Sequence, residues 1–314
     1  MTLILSSFVD DYIIQVSDRR FTYEGFFAPD DNKNKAVLYT SDDVVIAFAI
    51  TGLGYINKQR ADEWLADTLW RVQTDDFWET VNSVGFEAQT EFNKMSNPII
   101  SKAIEFIGVG WKKDAPFAVI ISNNSQSNDE NLNVADDSFF YKVLNFGKQN
   151  NVFHVESNGQ QISSCDIEIL NFKIKYCYEA NKSPEVVANI LINEIHKIAN
   201  SNPKVGKNLM VVCLPRNYNP WSSHNFNSNI ISLAEDTIST FYVSEIGEKK
   251  TVFMPNKVSR GIYMKNPSII TKDEHGIDTC AITYELLEIN PDEYKKREPI
   301  TLIPSQKNKD KKHI

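Results

Sequence analysis

No Cys-x-x-Cys pair occurs in this 314-residue chain, and its four cysteines, Cys165, Cys177, Cys213 and Cys280, are scattered. That spacing argues against a zinc site or a disulfide framework and reads as reduced, mostly buried thiols. No stretch approaches the roughly 18 consecutive apolar residues of a membrane span. Lysine and arginine are missing before Arg19, and Asp10 and Asp11 interrupt the apolar start. The basic opening of a secretory signal is therefore lacking, and a cytoplasmic location without membrane attachment is expected. Positive charge is in deficit as well. A net charge of −8 argues against general nucleic-acid binding, which needs a basic surface. His154, His196, His224, His275 and His313 show no metal-ligand spacing, and Asp273 to Asp278 lacks the alternating ligands of a calcium loop. Gly52-Leu53-Gly54 is too short to cradle a phosphate. No internal repeat is present. No cofactor and no metal are expected.

The chain does carry a regular succession of elements. Residues 2–8 and 12–17 read as a hairpin around Val9-Asp10-Asp11, and 35–39 and 44–50 as two further strands. Ala61, Trp64, Leu65, Thr68, Leu69 and Val72 recur at three and four residues, which predicts a helix. Thr74-Asp75-Asp76 supplies the N-cap of a second helix running through Phe92. Residues 104–111 and 116–121 follow as strands, and 122–137 as a polar, exposed and mobile loop. Residues 139–146 and 152–156 read as another hairpin, 163–178 as a helix, and Ser183-Pro184 as the start of a firmer one. A buried strand at 209–214 closes the series. After Pro215 the chain turns polar and irregular, with strands near 239–244, 250–254 and 278–287, and it ends in a Lys-rich tail with little to bury. Helices come in blocks between groups of strands. That order suits sheets sandwiched between helix pairs better than a doubly wound parallel sheet.

The second residue is a threonine. If Met1 is removed, Thr2 carries both a hydroxyl and a free α-amine, a nucleophile with its own base. The tight hairpin brings Asp18 back to the level of Thr2.

A threonine at the mature start, followed by Asp18-Arg19-Arg20-Phe21-Thr22 and by Lys35 before an apolar strand, resembles the N-terminal nucleophile hydrolases. The similarity is to the proteasome β-subunit group and its bacterial two-component peptidase relatives. The Asp-x-Arg-x-Thr pattern is matched in full, and the resemblance covers roughly residues 2–216. It implies an α+β, four-layer αββα sandwich over 2–216, with 217–304 a mostly β C-terminal extension and 305–314 a disordered tail. It implies Thr2 as nucleophile, Asp18 and Lys35 as its charged support, and a Gly52 backbone N–H as oxyanion donor. Lys33 competes with Lys35, and Gly54 with Gly52. Arg20 belongs to the same motif. Two features depart from the family pattern: Asn158 stands where a serine is usual, and Asn202 and Val205 stand where an aspartate and a serine are usual. The function implied is cleavage of peptide or other amide bonds inside a homo-oligomer, on a peptide or protein substrate and with any unfoldase or regulator unidentified. The alternative is a catalytically inactive structural or recognition subunit of the same fold.

Overall fold

The structure is a computed structural model that describes residues 2–21, 34–95, 103–126, 133–146, 154–159, 162–217, 225–226, 239–243, 252–253, 255–272 and 279–288. In chain order the elements are β1 (Leu3–Phe8), β2 (Tyr12–Asp18), β3 (Ala36–Thr40), β4 (Val44–Gly52), β5 (Tyr55–Ile56), β6 (Gln59–Arg60), α1 (Ala61–Val72) and α2 (Phe77–Lys94). Then come β7 (Ile104–Lys112), β8 (Ala115–Gln126), β9 (Asn133–Asn145), β10 (His154–Gly159), α3 (Ser164–Glu179), α4 (Pro184–Ser201) and β11 (Leu209–Pro215). The last strands are β12 (Asn225–Phe226), β13 (Ser239–Val243), β14 (Val252–Phe253), β15 (Asn256–Ser259), β16 (Ile262–Lys272) and β17 (Thr279–Glu288).

Among the described residues, two large sheets and four helices make an α+β fold. The first sheet runs β10-β1-β2-β11-β13-β12, and the second β14-β16-β15-β3-β4-β7-β8-β9, with β17 on β16. Alternation along the strands decides which residues face which neighbour. Leu3, Leu5, Ile14 and Val16 of the first sheet pack with Leu170 and Ile174 of α3 and Leu191 and Ile195 of α4. Ile46, Phe48, Phe106 and Val119 of the second sheet pack with Trp64 and Leu65 of α1 and Phe77 and Val81 of α2. The remaining faces meet each other: Ile13, Met210 and Val212 lie against Leu38, Ala47, Val109 and Trp111. A thinner layer, Ile4, Ala49, Ile107 and Ile120, continues that contact. Trp111 Nε1 donates to Leu214 O at 3.0 Å, and Gln15 Nε2 to Ile107 O at 3.3 Å, so these two polar side chains bridge the sheets.

Helix boundaries follow local chemistry. The Asp76 carboxylate accepts the Trp78 N–H at 2.7 Å and caps α2. Pro184 opens α4, where a missing N–H costs nothing.

Two expectations are corrected. Residues 139–146 and 152–156 are not a hairpin: β9 pairs with β8 in the second sheet, while β10 pairs with β1 in the first. Each strand takes a free sheet edge, so the chain crosses from one sheet to the other. Nor is 122–137 wholly loop. β8 runs to Gln126 and β9 begins at Asn133, with a register shift between Ser122 and Asn124. Asn123 is buried because its Oδ1 accepts the Ile104 N–H at 2.9 Å. The chain after Pro215 adds strands to both sheets: β13 lies antiparallel on β11, and β15 parallel on β3. Of the strands after Pro215, β12, β15 and β16 have no counterpart among the expected ones. The Lys-rich tail lies outside the described residues.

Candidate active site

Thr2 sits immediately before β1 and is buried. Lys35 precedes β3, and its carbonyl accepts the Ile50 N–H of β4 at 2.9 Å, which fixes where the lysine leaves the sheet. From there Lys35 Nζ donates to Thr2 Oγ1 at 2.7 Å and to Asp18 Oδ1 at 3.3 Å. The Phe21 ring lies 5.2 Å from the same ammonium, close enough for a cation–π contact. Gly54 makes room for that ring, because a Cβ there would stand 2.3 Å from it.

Asp18 ends β2 and is fully buried. Its Oδ2 accepts the Leu3 N–H at 2.7 Å. Its Oδ1 accepts from Arg20 N at 3.0 Å and from Gly206 N at 3.2 Å, as well as from Lys35. Four donors thus converge on one carboxylate. A buried anion costs several kcal/mol unless it is paired and hydrogen-bonded in this way. The Arg20 side chain reaches the other way, donating to Pro203 O at 2.6 Å.

The remaining candidates are placed as follows. Gly52 ends β4 at φ +91°, a conformation that favours glycine. A Cβ there would stand 2.1 Å from Ala103 O. The side chain before it, Thr51, faces Gly159: a Cβ at Gly159 would stand 2.0 Å from Thr2 O and 3.0 Å from Thr51 Oγ1. Gly52 therefore lies one residue from the surroundings of Thr2. Asn158 pairs with Ile4 across β10 and β1, one register step from the Leu3–Gly159 pair. Asn202 ends α4, and its Oδ1 accepts the Lys204 N–H at 3.0 Å. Val205 is buried in the apolar cluster under α4 rather than offering a polar group. Lys33 and Thr22 lie outside the described residues.

Several participants were not singled out from the sequence. Gly206 and Gly159 matter through close backbone approach, and neither follows a local pattern that marks such an approach. Glu105 is a third case. Ile4, Ala49, Ile107 and Ile120 share one layer between the sheets. Two residues along each strand, alternation puts Thr2, Thr51, Glu105 and Ser122 in the next layer. Ser122 Oγ and Asn124 Nδ2 donate to Glu105 Oε1 at 3.2 and 3.4 Å. Burial pushes the Glu105 carboxyl above its usual range, and those two donors oppose the shift. Elsewhere Cys177 and Cys213 are buried and Cys165 is exposed; burial pushes the Cys213 thiol up to about 12. Among the described residues no group of three or more His, Cys, Asp and Glu side chains is placed to hold a metal ion, and no helix is long and apolar enough to cross a membrane.

No family model and no curated protein matches this sequence. Solved structures do. The Anbu complex from Pseudomonas aeruginosa, described as a helical assembly, matches at 14% identity over 68% of this chain and 84% of that one, with a TM-score of 0.45. Anbu from Yersinia bercovieri, described as an ancestral beta-subunit, matches at 14% identity over 68% of this chain and 81% of that one, with a TM-score of 0.46. A Gly-1 mutant of Anbu from Hyphomicrobium sp. strain MC1 matches at 14% identity over 68% of this chain and 80% of that one, with a TM-score of 0.41.

Proposed function

We propose that this chain is a proteasome-like threonine hydrolase that cleaves peptide or other amide bonds, built as a four-layer αββα sandwich with the chain after residue 216 as an extension. The observation that carries the reading is the hydrogen bond from Lys35 Nζ to Thr2 Oγ1 at 2.7 Å. It occupies a lone pair of the hydroxyl and leaves its proton to be given away. In a chain beginning at Thr2, the α-amine titrates near pH 7.7–8.0 and takes that proton. The Lys35 ammonium disfavours protonation of the amine and favours developing negative charge on Oγ1. Oγ1 attacks the amide carbonyl, and the N–H of Gly52 faces the resulting oxyanion. The C–N bond then breaks, the amine returns its proton to the leaving nitrogen, and an ester remains on Thr2. Water, deprotonated by the same amine, cleaves the ester and frees the enzyme. Asp18 positions Lys35 and the start of β1. The working form in this reading is a homo-oligomer in the cytoplasm acting on peptide or protein substrates.

A second reading, a non-catalytic subunit of the same fold, is favoured by Val205, an apolar residue buried under α4 at the position where the resemblance leads one to expect a serine. One experiment separates the two. The purified full chain is treated with a peptide epoxyketone, which needs both the hydroxyl and the free amine of one residue. Intact mass should first show loss of Met1, then a covalent adduct that peptide mapping assigns to Thr2 and that Thr2→Ala abolishes. A processed, folded chain that forms no adduct supports the non-catalytic subunit.

A further inference from the structure

Proton transfer decides where the two halves of a cleaved substrate lie around Thr2. The amine that takes the Oγ1 proton returns it to the leaving nitrogen, so the leaving half lies on the amine's side. The backbone shows which side that is. The Leu3 N–H turns to Asp18, on the β2 side, at 2.7 Å. The Thr2 carbonyl of the same peptide therefore points the other way, to β10, where a Cβ on Gly159 would stand 2.0 Å from its oxygen. In an extended residue the nitrogen shares the side of its own carbonyl. The Thr2 amine thus faces β10 as well.

On that side a polar row crosses the second sheet. Thr51 comes first, with Oγ1 3.0 Å from the same Gly159 Cβ position. Glu105 is the cross-strand partner of Thr51, and Ser122 that of Glu105. Directly opposed side chains stand about 5 Å apart on one face, so Glu105 lies one strand beyond Thr51. Only one of its carboxyl oxygens is committed: Ser122 Oγ and Asn124 Nδ2 both donate to Oε1. Among the described residues no donor reaches Oε2 and no cation pairs with the group. Burial raises the carboxyl, and only those two neutral donors oppose the shift. The side chain is half-buried rather than sealed, so a ligand can reach it.

We infer that Glu105 is a specificity-determining residue, receiving a lysine or arginine side chain that follows the scissile bond on the leaving half of the substrate. The inference rests on Thr2 acting as the nucleophile. An ammonium or guanidinium gives Oε2 the charge-assisted hydrogen bond that the chain itself does not supply. An acidic side chain in the same place meets a like charge and is rejected. The substrate class is therefore peptides with a basic residue just after the cut.

The test digests an unbiased peptide mixture with the full chain at pH 8 and reads the cut sites by mass spectrometry. Lysine and arginine should be enriched about tenfold in the first two positions after the cut, near the low end of what one hydrogen bond to a charged group is worth. Glu105→Gln still offers an acceptor to Ser122 and Asn124, and it should erase the enrichment. Glu105→Lys should turn it towards aspartate and glutamate. A matched pair of quenched peptides, with arginine or its neutral analogue citrulline after the cut, should differ about tenfold in kcat/KM for wild type and not at all for Glu105→Gln. The preference is a ratio between peptides meeting one sample, so a partly unfolded variant does not imitate its loss. If no cleavage disappears in Thr2→Ala, the hydrolase reading fails and takes this inference with it. Thr2-dependent cuts without a basic preference, or a preference that survives Glu105→Gln, would overturn the inference and leave the hydrolase reading standing.

Discussion

Replacing Asp18 by alanine takes one acceptor away from four donors at once. Three are backbone N–H groups, of Leu3, Arg20 and Gly206, and the fourth is the Lys35 ammonium. An orphaned buried amide costs about 1–3 kcal/mol, and a buried cation stripped of its partner about 3–5 kcal/mol. The simple sum overcounts. Lys35 keeps Thr2 Oγ1 at 2.7 Å, and water enters the space the carboxylate leaves. The expected net loss is about 4–6 kcal/mol, a large share of the 5–15 kcal/mol that holds an ordinary domain folded. Urea denaturation at neutral pH, followed by tryptophan fluorescence and circular dichroism, reads this as a lowered midpoint at unchanged slope. Adding Lys35→Met to Asp18→Ala removes the unpaired charge and should return roughly 2 kcal/mol, a coupling that separate, additive effects would not give. By contrast Thr2→Ala removes one acceptor and should cost only about 1 kcal/mol. An Asp18→Ala loss below about 1 kcal/mol, or a double variant less stable than either single one, would refute this account of the carboxylate.

Gly159→Ala puts a Cβ 2.0 Å from Thr2 O on a residue with φ +83°. It should cost about 1–3 kcal/mol and slow the epoxyketone adduct at least about tenfold, because Thr2 must shift from Lys35; melting curves and adduct rates check the two halves. Glu105 gives a pH signature. Burial raises its carboxyl in the folded state, so the folded chain keeps a proton that the unfolded chain releases. That contribution is fully present below the ordinary glutamate range and is lost as pH rises through the raised one. Glu105→Gln should therefore gain stability relative to wild type as pH rises from acid to neutral in parallel denaturation curves, and equal pH slopes would contradict the assignment.

Much of this was legible in local patterns. The α1 stripe of Ala61, Trp64, Leu65 and Leu69 is buried as its spacing requires, and Asp76 caps α2. Strand partners were less legible. β9 and β10 follow one another along the chain, and nothing local says that one belongs to each sheet. The segment 122–137 reads as loop because it is polar. Burial of Ser122 and Asn123 depends instead on hydrogen bonds to Glu105 and Ile104, from the neighbouring strand. In the site, the Thr2–Asp18 hairpin is sequence-local, so its geometry can be reasoned out. The Gly206 N–H reaches Asp18 across 188 positions, and no periodicity encodes such a meeting. It is set by where α4 ends and β11 begins.

The parallel pairing of Asn256 with Val37 has a wider meaning. Val37 is only two positions beyond the lysine that touches Thr2, and β13 shields β11 in the same manner on the other sheet. Cutting the chain after its first two thirds would bare two unprotected margins at once, each a template for unwanted strand addition. The late segment thus acts as a splint, and a shortened molecule made for convenience would be loosest beside the very ammonium it was meant to preserve.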